Sequence, residues 1–419
     1  MPCGRPSFFL LSLLALFLSA IHPPGVSAQE WTRFRGPNGT GVSATTGVPV
    51  TWTEADFRWR VRVPGTSHAQ PVIWGDRIFL PTATEQGKER ILLCLRQEDG
   101  SEFWRRTYDL PTGTRPNKRA SFANESAVVD ARRVVALFVS SEHFWIRAFA
   151  HDGRELWARD LGPFQSRHGH GSSPVLVGNR VIVNNDQDGR SFICALDAES
   201  GATVWTLPSE SRPDHNTFAT PFTVERPGQP PELIVSSQQR GLASLDPATG
   251  AVRWQAQVIV GRSVASPLLA GDLIVASWGF GPKNVLGAFR LGGTGDVSET
   301  HLAYTLRERI SYVPTPLHHE GRIYLVNDAG VASALDATTG RVLWTERLAV
   351  GEFYSSPVLA EGRLYCASAA GEMFVLAAGD TFRRLARNPL GEGTHSTPCL
   401  DRGRLYVKTF THLVCIGGR

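Results

Sequence analysis

Leu335-Asp336-Ala337-Thr338-Thr339-Gly340-Arg341-Val342-Leu343-Trp344 is the stretch on which the fold turns, because the chain repeats it as LDAESGATVW at 196–205 and LDPATGAVRW at 245–254. Degenerate copies, LRQEDGSEFW at 95–104 and FAHDGRELW at 149–157, keep the glycine and the tryptophan beyond it. Asp336 and Thr339 are placed to hydrogen-bond nearby backbone amides, and Gly340 takes the positive-φ place that such a hairpin demands. Leu335 then faces a neighbouring unit, and Trp344 opens the next strand and covers apolar area between units. A phrase repeated at such a period marks stacked supersecondary units.

A second phrase precedes each copy: a small polar residue, a proline and an apolar pair. It reads AQPVI from Ala69, SSPVL from Ser172, ATPFT from Ala219, ASPLL from Ala265, PTPLH from Pro314, SSPVL from Ser355 and STPCL from Ser396, and ESAVV from Glu125 stands in the same place without its proline. These eight starts lie roughly 40 to 56 residues apart. Between the two phrases runs a glycine-led apolar strand, as in GDRIFL, GNRVIV and GRLYVK. Each unit therefore reads as four short alternating strands joined by turns, the pattern of a propeller blade. One four-stranded sheet cannot bury both faces, whereas a ring of them gives every face a neighbour. The fold class is all-β: an eight-bladed propeller of four-stranded antiparallel blades.

The ends explain how the ring closes. The last unit stops after three strands at LVCIGG, and the missing outer strand stands at the other terminus as Asp56-Phe57-Arg58-Trp59-Arg60-Val61. Trp59 occupies the repeat's tryptophan place with no repeat ahead of it, so the N-terminal strand is expected to complete the last blade and remove the exposed edge. Blade 5 (FRLGGTGDVSET) and blade 7 (LAAGDTFRRL) lack the tryptophan, which marks them as looser or as carriers of a contact surface.

The chain has 419 residues, 42% apolar and 20% charged, with a net charge of +4. No run of five basic residues occurs, which argues against a nucleic-acid partner. Arg5, the apolar stretch 8–20 and Val26-Ser27-Ala28 read as a secretory signal cleaved after Ala28, too short to span a bilayer. Cys3 precedes the apolar run and so is not the lipid-bearing cysteine that would follow it. The expected division is a signal peptide at 1–28, an N-terminal extension at 29–55 and a single propeller at 56–419. Of the later cysteines, Cys94, Cys194 and Cys415 stand in apolar strands and read as small buried hydrophobes. A Cys399–Cys415 bridge within the last blade is an alternative.

These repeats, the SSP strand starts and the opening Trp31-Thr32-Arg33-Phe34-Arg35-Gly36-Pro37-Asn38-Gly39 resemble the bacterial pyrroloquinoline-quinone-like propeller proteins. The resemblance covers about nine-tenths of the chain and implies the fold far more than a function. The family includes quinoprotein alcohol dehydrogenases and the outer-membrane assembly lipoprotein; the FRGPNG opening looks most like other exported members. The dehydrogenase pattern carries adjacent cysteines against the quinone, a calcium ion and a catalytic aspartate. No two cysteines are adjacent here, so pyrroloquinoline quinone is disfavoured as a cofactor.

The loops entering the inner strands converge on the propeller axis. They bring His68, Asn124 with Glu125, His168 with His170, His215 with Asn216, Arg262 with Ser263, Tyr312, Tyr354 and His395. Five of the chain's twelve histidines fall in this one position. Ringing one channel mouth, they suit a small polar ligand, an anion or a metal; the plainer alternative is that they hydrate the mouth and tie loops to backbone. Asn184, Asp186, Asp188 and Gly189 resemble the start of a calcium loop, so a calcium ion is a candidate there. The next acidic ligand is replaced by Phe192 and Ile193, which favours a polar hairpin instead. No G-x-S-x-G, H-E-x-x-H or phosphate-loop motif occurs. The expected function is a non-catalytic binding scaffold exported to the periplasm or beyond, a monomer that binds an envelope protein or a small polar ligand through loops on one face. A quinone-dependent oxidoreductase and an outer-membrane assembly factor are the alternatives.

Overall fold

In the computed structural model, residues 31–418 are described apart from 85, 112–119, 211–215, 281 and 282. Apart from Met1 and Gly4, the expected signal segment lies outside the described residues, as does His215. No described helix is long and apolar enough to cross a membrane. The chain forms eight four-stranded antiparallel blades; seven run in sequence order from the axis outwards, and the eighth takes its outer strand from the N-terminal side. Blade 1, for example, consists of Val72–Trp74, Arg77–Ala83, Glu89–Arg96 and Glu102–Asp109. Apolar side chains of neighbouring blades merge into shared cores, so the core is a wheel of between-blade layers.

The tryptophans join the blades at their rim. Five of them donate the indole N–H to the turn of the next blade: Trp59 to the Gln97 carbonyl at 3.2 Å, Trp104 to His151 at 2.9 Å, Trp157 to Ala198 at 2.9 Å, Trp205 to Pro247 at 3.0 Å and Trp344 to Gly379 at 3.0 Å, whereas Trp254 donates to Glu232 Oε2 of its own blade at 3.0 Å. The turn glycine lies flat under the ring. Gly201 has φ 70°, and a Cβ there would stand 2.5 Å from the Trp157 ring. Glycine is thus required both by the turn and by the indole above it. In blade 5, Tyr304 takes the tryptophan's place, donating its hydroxyl to the Ala337 carbonyl at 2.8 Å over Gly340. The blade 5 insertion is a contact surface for a neighbour: Gly295–Asp296 pairs in parallel with the outer strand Val252–Ala256 of blade 4 and covers the buried Trp254. At blade 7 an aromatic arrives from the N-terminal side, where Trp52 donates to the Pro389 carbonyl at 2.8 Å.

The ring closes as the termini require. Phe57–Arg62 pairs antiparallel with His412–Gly417, with Trp59 opposite Cys415 and the same register shift before the tryptophan that other blades show. The Cys399–Cys415 bridge is ruled out by this geometry. Cys399 lies opposite Tyr406, and Tyr406 lies opposite Cys415 on the far side. The two sulfurs' strands are therefore two ladder spacings apart, roughly 10 Å, beyond the reach of a disulfide. All five described cysteines are free and buried.

At the axis, a second set of bonds links the blades. In blades 2 to 8 the hydroxyl residue at the start of the inner strand accepts a hydrogen bond from the backbone N–H of its counterpart one blade earlier. Gln70 N–H donates to Ser126 Oγ at 3.0 Å, Ser126 to Ser173 at 3.0 Å, Ser173 to Thr220 at 3.1 Å and Thr220 to Ser266 at 2.9 Å. Ser266 then donates to Thr315 at 3.0 Å, Thr315 to Ser356 at 3.0 Å and Ser356 to Thr397 at 3.1 Å. Gln70 stands at the closing joint, and its longer side chain donates to the Pro398 carbonyl.

The opening segment lies inside this ring, at the end of the channel away from the loops that enter the inner strands. The Trp31 carbonyl accepts from Ile73 N–H at 2.8 Å and that of Thr32 from Val129 N–H at 2.8 Å. Arg33 donates to Pro221 at 2.5 Å, and Asn38 exchanges hydrogen bonds with Thr223. Val42–Ser43 then runs parallel to the innermost strand of blade 7. Residues 31–43 form a plug tied to most of the blades.

Two outcomes test this architecture. Ser266→Ala leaves the buried Thr220 N–H without its acceptor and should lower unfolding free energy by about 1–3 kcal/mol in denaturant titration, whereas the same change at exposed Ser101 should have little effect. A chain shortened to begin at Pro64 loses both plug and closing strand, and its calorimetric melting should broaden and lose cooperativity.

Candidate binding cavity at the channel mouth

A cavity of about 310 Å³ opens at the mouth, bounded below by the plug. Seven of the expected residues line it: His68, Asn124, His168, Arg262, Tyr312, Tyr354 and His395. Their placement follows from the ring hydroxyls. The residue two places before each hydroxyl, or before Gln70, points inwards: His68, Asn124, Gly171, Phe218, Val264, Val313, Tyr354 and His395 all line the cavity. Alternation along an extended chain sends the residue between them the other way. The His395 ring is centred 4.6 Å from that of His68, 4.7 Å from Tyr354 and 5.1 Å from Phe410. Tyr312 is held from behind, its N–H donating to Asp328 Oδ2 at 2.7 Å. Arg262 is fixed through paired backbone bonds with Gly279.

Glu125 and His170 stand elsewhere. Glu125 occupies an outward-turned place and meets His170, with Oε1 to Nδ1 at 2.7 Å, on the wall of a separate cavity of about 420 Å³ between blades 2 and 3. His170 Nε2 lies 3.0 Å from the Asn184 carbonyl. A carbonyl only accepts, so His170 is the donor of this bond, through Nε2. Asn216 is buried and donates to Ser166 Oγ. Ser263 is buried against Ser236, with their hydroxyls 2.7 Å apart.

The three residues of the calcium-like segment have different surroundings. Asn184 is the penultimate residue of the strand Arg180–Asn185 and gives its carbonyl to His170. Asp186 is buried beside Ser209 and Arg240; burial raises its carboxyl, and the Arg240 charge opposes the rise. Asp188 turns to the cavity between blades 2 and 3, with its N–H on the Gln165 carbonyl. Among the described residues no three His, Cys, Asp or Glu side chains gather to hold a metal ion.

Sequence reasoning missed the floor and the inner wall. Phe34 of the plug and Phe218 line the cavity, with the hydroxyl residues Ser173, Ser266, Thr315, Ser356 and Thr397. The hydroxyls recur before the prolines, which is a readable signal; Phe34 lies outside every repeat and has none. Beneath the floor, Arg35 is fully buried. It donates to the carbonyls of Thr315 at 2.7 Å, Pro316 at 2.9 Å, Thr40 at 3.1 Å and Gly39 at 3.2 Å. Burial lowers the Arg33 and Arg35 guanidiniums to about 9 each. Neither forms an ion pair among the described residues. Behind the mouth, Lys408 is fully buried, its ammonium on the carbonyls of Thr409 and Phe410.

Against known proteins, the profile of the family described as outer membrane protein assembly factor BamB matches residues 142–216, 190–289 and 282–409, together more than half of the chain. The assembly factor BamB of Moranella endobia (strain PCIT) is 23% identical over 306 residues, covering 68% of this chain and 72% of that one. The solved BamB of Moraxella catarrhalis superposes with a TM-score of 0.59 at 17% identity, over 86% of this chain and 96% of that one. A europium-containing methanol dehydrogenase superposes with a TM-score of 0.70 at 13% identity, over 93% of this chain and 91% of that one. At these identities the structural likenesses establish the fold alone.

Burial lowers Lys408 to about 8 against an ordinary value of 10.5, with the Glu392 charge opposing. The unfolded chain therefore binds the extra proton between pH 8 and 10.5, and stability should rise across that window. Measured against Lys408→Met by denaturant titration at each pH, the wild-type gain should reach about 3 kcal/mol at ~1.4 kcal/mol per pK unit. A pH-independent difference between the two proteins would contradict the buried ammonium.

Proposed function

The chain belongs to the family of the outer membrane protein assembly factor BamB, and from that premise we propose that it is an exported, non-catalytic scaffold that holds an envelope protein at the mouth face of its propeller. The observation that carries this reading is that the two most exposed large apolar side chains of the propeller, Val350 and Val260, both stand on mouth-face loops. Val260, Phe280, Val350 and Phe410 project from loops on the mouth face, with Val350 at 91% and Val260 at 69% exposure. Phe280 leans on Gly261 beside Arg262, and Phe410 on Gly393 beside His395. Loops fixed on a rigid ring are the common seat of recognition, and apolar side chains gathered around polar ones are what partner surfaces present.

The BamB relative of Moranella endobia is an outer membrane protein assembly factor. An envelope location, reached through the expected signal segment, agrees with that description. A scaffold of this kind recruits a client or a neighbouring subunit, and its own residues perform no bond-making step.

Site-specific photo-crosslinking in cells separates this from a propeller without a mouth-face partner. A photoreactive phenylalanine at Val350 or Val260 should give a discrete adduct with an envelope protein. The same group at Val342, half-exposed at the opposite end of blade 6, should not. Equal adducts from all three positions, or none from any, would remove the proposal.

A further inference from the structure

We infer that the cavity between blades 2 and 3 binds a free amino acid with an apolar side chain, taking its ammonium on Glu125 and its carboxylate on Arg90. This cavity shares no lining residue with the one at the channel mouth, and neither Val260 nor Val350 borders it, so the inference stands independently of the scaffold reading. Its walls come from three blades. Arg90 belongs to blade 1, Glu125 and Val139 to blade 2, and Phe164 and His170 to the loop that enters blade 3.

Two buried groups of opposite charge decide the ligand. Arg90 is 3% and Glu125 6% exposed, and both line the cavity, yet no ion pair joins them; the partner of Glu125 is His170. Glu125 Oε1 lies 2.7 Å from His170 Nδ1, and His170 is fixed in turn by the Asn184 carbonyl and by the edges of Phe144 and Phe164, with ring centres 4.9 and 5.1 Å away. Among the described residues nothing donates to the other oxygen, Oε2. Arg90 Nη1 donates to the Gly87 carbonyl and Nη2 to that of Val139 at 2.8 Å. Each of these nitrogens carries two N–H groups, so Nη2 keeps one uncommitted. Burial lowers Arg90 to about 10, and the Glu125 charge opposes the fall, so the two groups act on each other without touching. Buried charges are costly unless counter-charges lie close. An amino acid carries an ammonium and a carboxylate on one carbon and answers both.

The apolar side chain follows from the remaining walls. Phe122, Val139 and Phe164 line the same cavity. Phe122 packs on Gly87, where a Cβ would stand 2.7 Å from the ring, and under the Arg90 guanidinium, centred 4.8 Å from it. Phe164 packs on Phe144, with ring centres 5.6 Å apart. The walls are therefore set before a ligand arrives, which lowers the ordering cost of binding. Exposed Arg167 at the rim adds a second cation on the lining for the carboxylate. At about 420 Å³ the cavity stands towards the small end of ligand pockets, which run from ~300 to ~1,000 Å³. That room suits one amino acid with a large side chain.

Isothermal titration of the full chain with L-leucine, leucinamide, N-acetyl-leucine and glycine tests this. Leucine should bind and raise the melting temperature. Leucinamide lacks the carboxylate and resembles the first residue of a peptide; N-acetyl-leucine lacks the ammonium and resembles the last. Each should bind at least tenfold more weakly than leucine, and so should glycine, which lacks the apolar body. Glu125→Gln should weaken leucine about tenfold, to the level of N-acetyl-leucine, and leave N-acetyl-leucine itself unchanged. Should Glu125→Gln fold poorly, Ser141→Trp, at an exposed position on the cavity wall, should block leucine in a protein that melts as the wild type does. Leucinamide matching leucine would overturn the Arg90 contact, N-acetyl-leucine matching it the Glu125 contact, and glycine matching it the apolar body. Natively melting protein that does not bind leucine, or binding that survives unchanged in Glu125→Gln or Ser141→Trp, would overturn the site.

Discussion

Seven of the eight blades begin by lending a hydroxyl to the blade before them, and the rest of the structure depends on that contact. A propeller's innermost strands are short, here three residues in most blades and two in blade 2, so they contribute little ladder of their own. Their first backbone N–H groups point at a neighbouring blade rather than along a partner strand. Ser126, Ser173, Thr220, Ser266, Thr315, Ser356 and Thr397 accept those donors in turn. Each bond contributes only about 1 kcal/mol net, but a buried N–H without one would lose more. The same ring fixes which way its neighbours face, so the chemistry of the mouth is set by the bond that holds the wheel together.

Closure makes one joint different from the others. Gln70 replaces the hydroxyl where blade 8 meets blade 1, and its amide reaches the Pro398 carbonyl on one side and accepts the Arg35 N–H at 2.5 Å on the other. The residue that closes the inner ring therefore also anchors the plug. At the rim, the N-terminal segment that supplies Trp52 and then the strand Phe57–Arg62 closes blades 7 and 8. Both closures come from the same stretch of chain, so rim and hub are linked covalently over about thirty residues.

Much of this was legible because it repeats. The LDATTG turn behaves as its residues demand: Asp336 accepts the Thr339 N–H at 2.9 Å and the Thr339 hydroxyl at 2.7 Å, and Gly340 has φ 74°. The closing strand was legible from a tryptophan without a repeat before it. What escaped lies outside the period. Tyr304 in the tryptophan's place and the parallel pairing of Gly295 come from an insertion, and nothing local announces a partner in another blade. The site was legible in part for a different reason. Choosing polar residues near the axis collected Asn124 together with Glu125 and His168 together with His170, although alternation places Glu125 and His170 in another cavity. Counting two residues back from each hydroxyl would have separated them, and would have found Phe218.

The plug explains why arginine, rather than an apolar filler, closes the base of the channel. Seven of the eight inner strands start with a proline after the hydroxyl residue or Gln70. Proline brings no N–H, so the strand starts hold more carbonyls than donors, and several of those carbonyls face the axis. Water would satisfy them but would leave the hub wet and loosely held. A guanidinium has five donors and no acceptor. Arg35 places its donors on Thr315, Pro316, Gly39 and Thr40, and Arg33 reaches Pro221 on blade 4. Two side chains thereby dry and brace the hub. The solution serves the carbonyls but leaves Arg33 Nε without a hydrogen-bond partner and the charge unbalanced, because a carbonyl balances an N–H but not a cation. The rigidity of the hub and the positive field beneath the mouth are consequences of the same choice of residue.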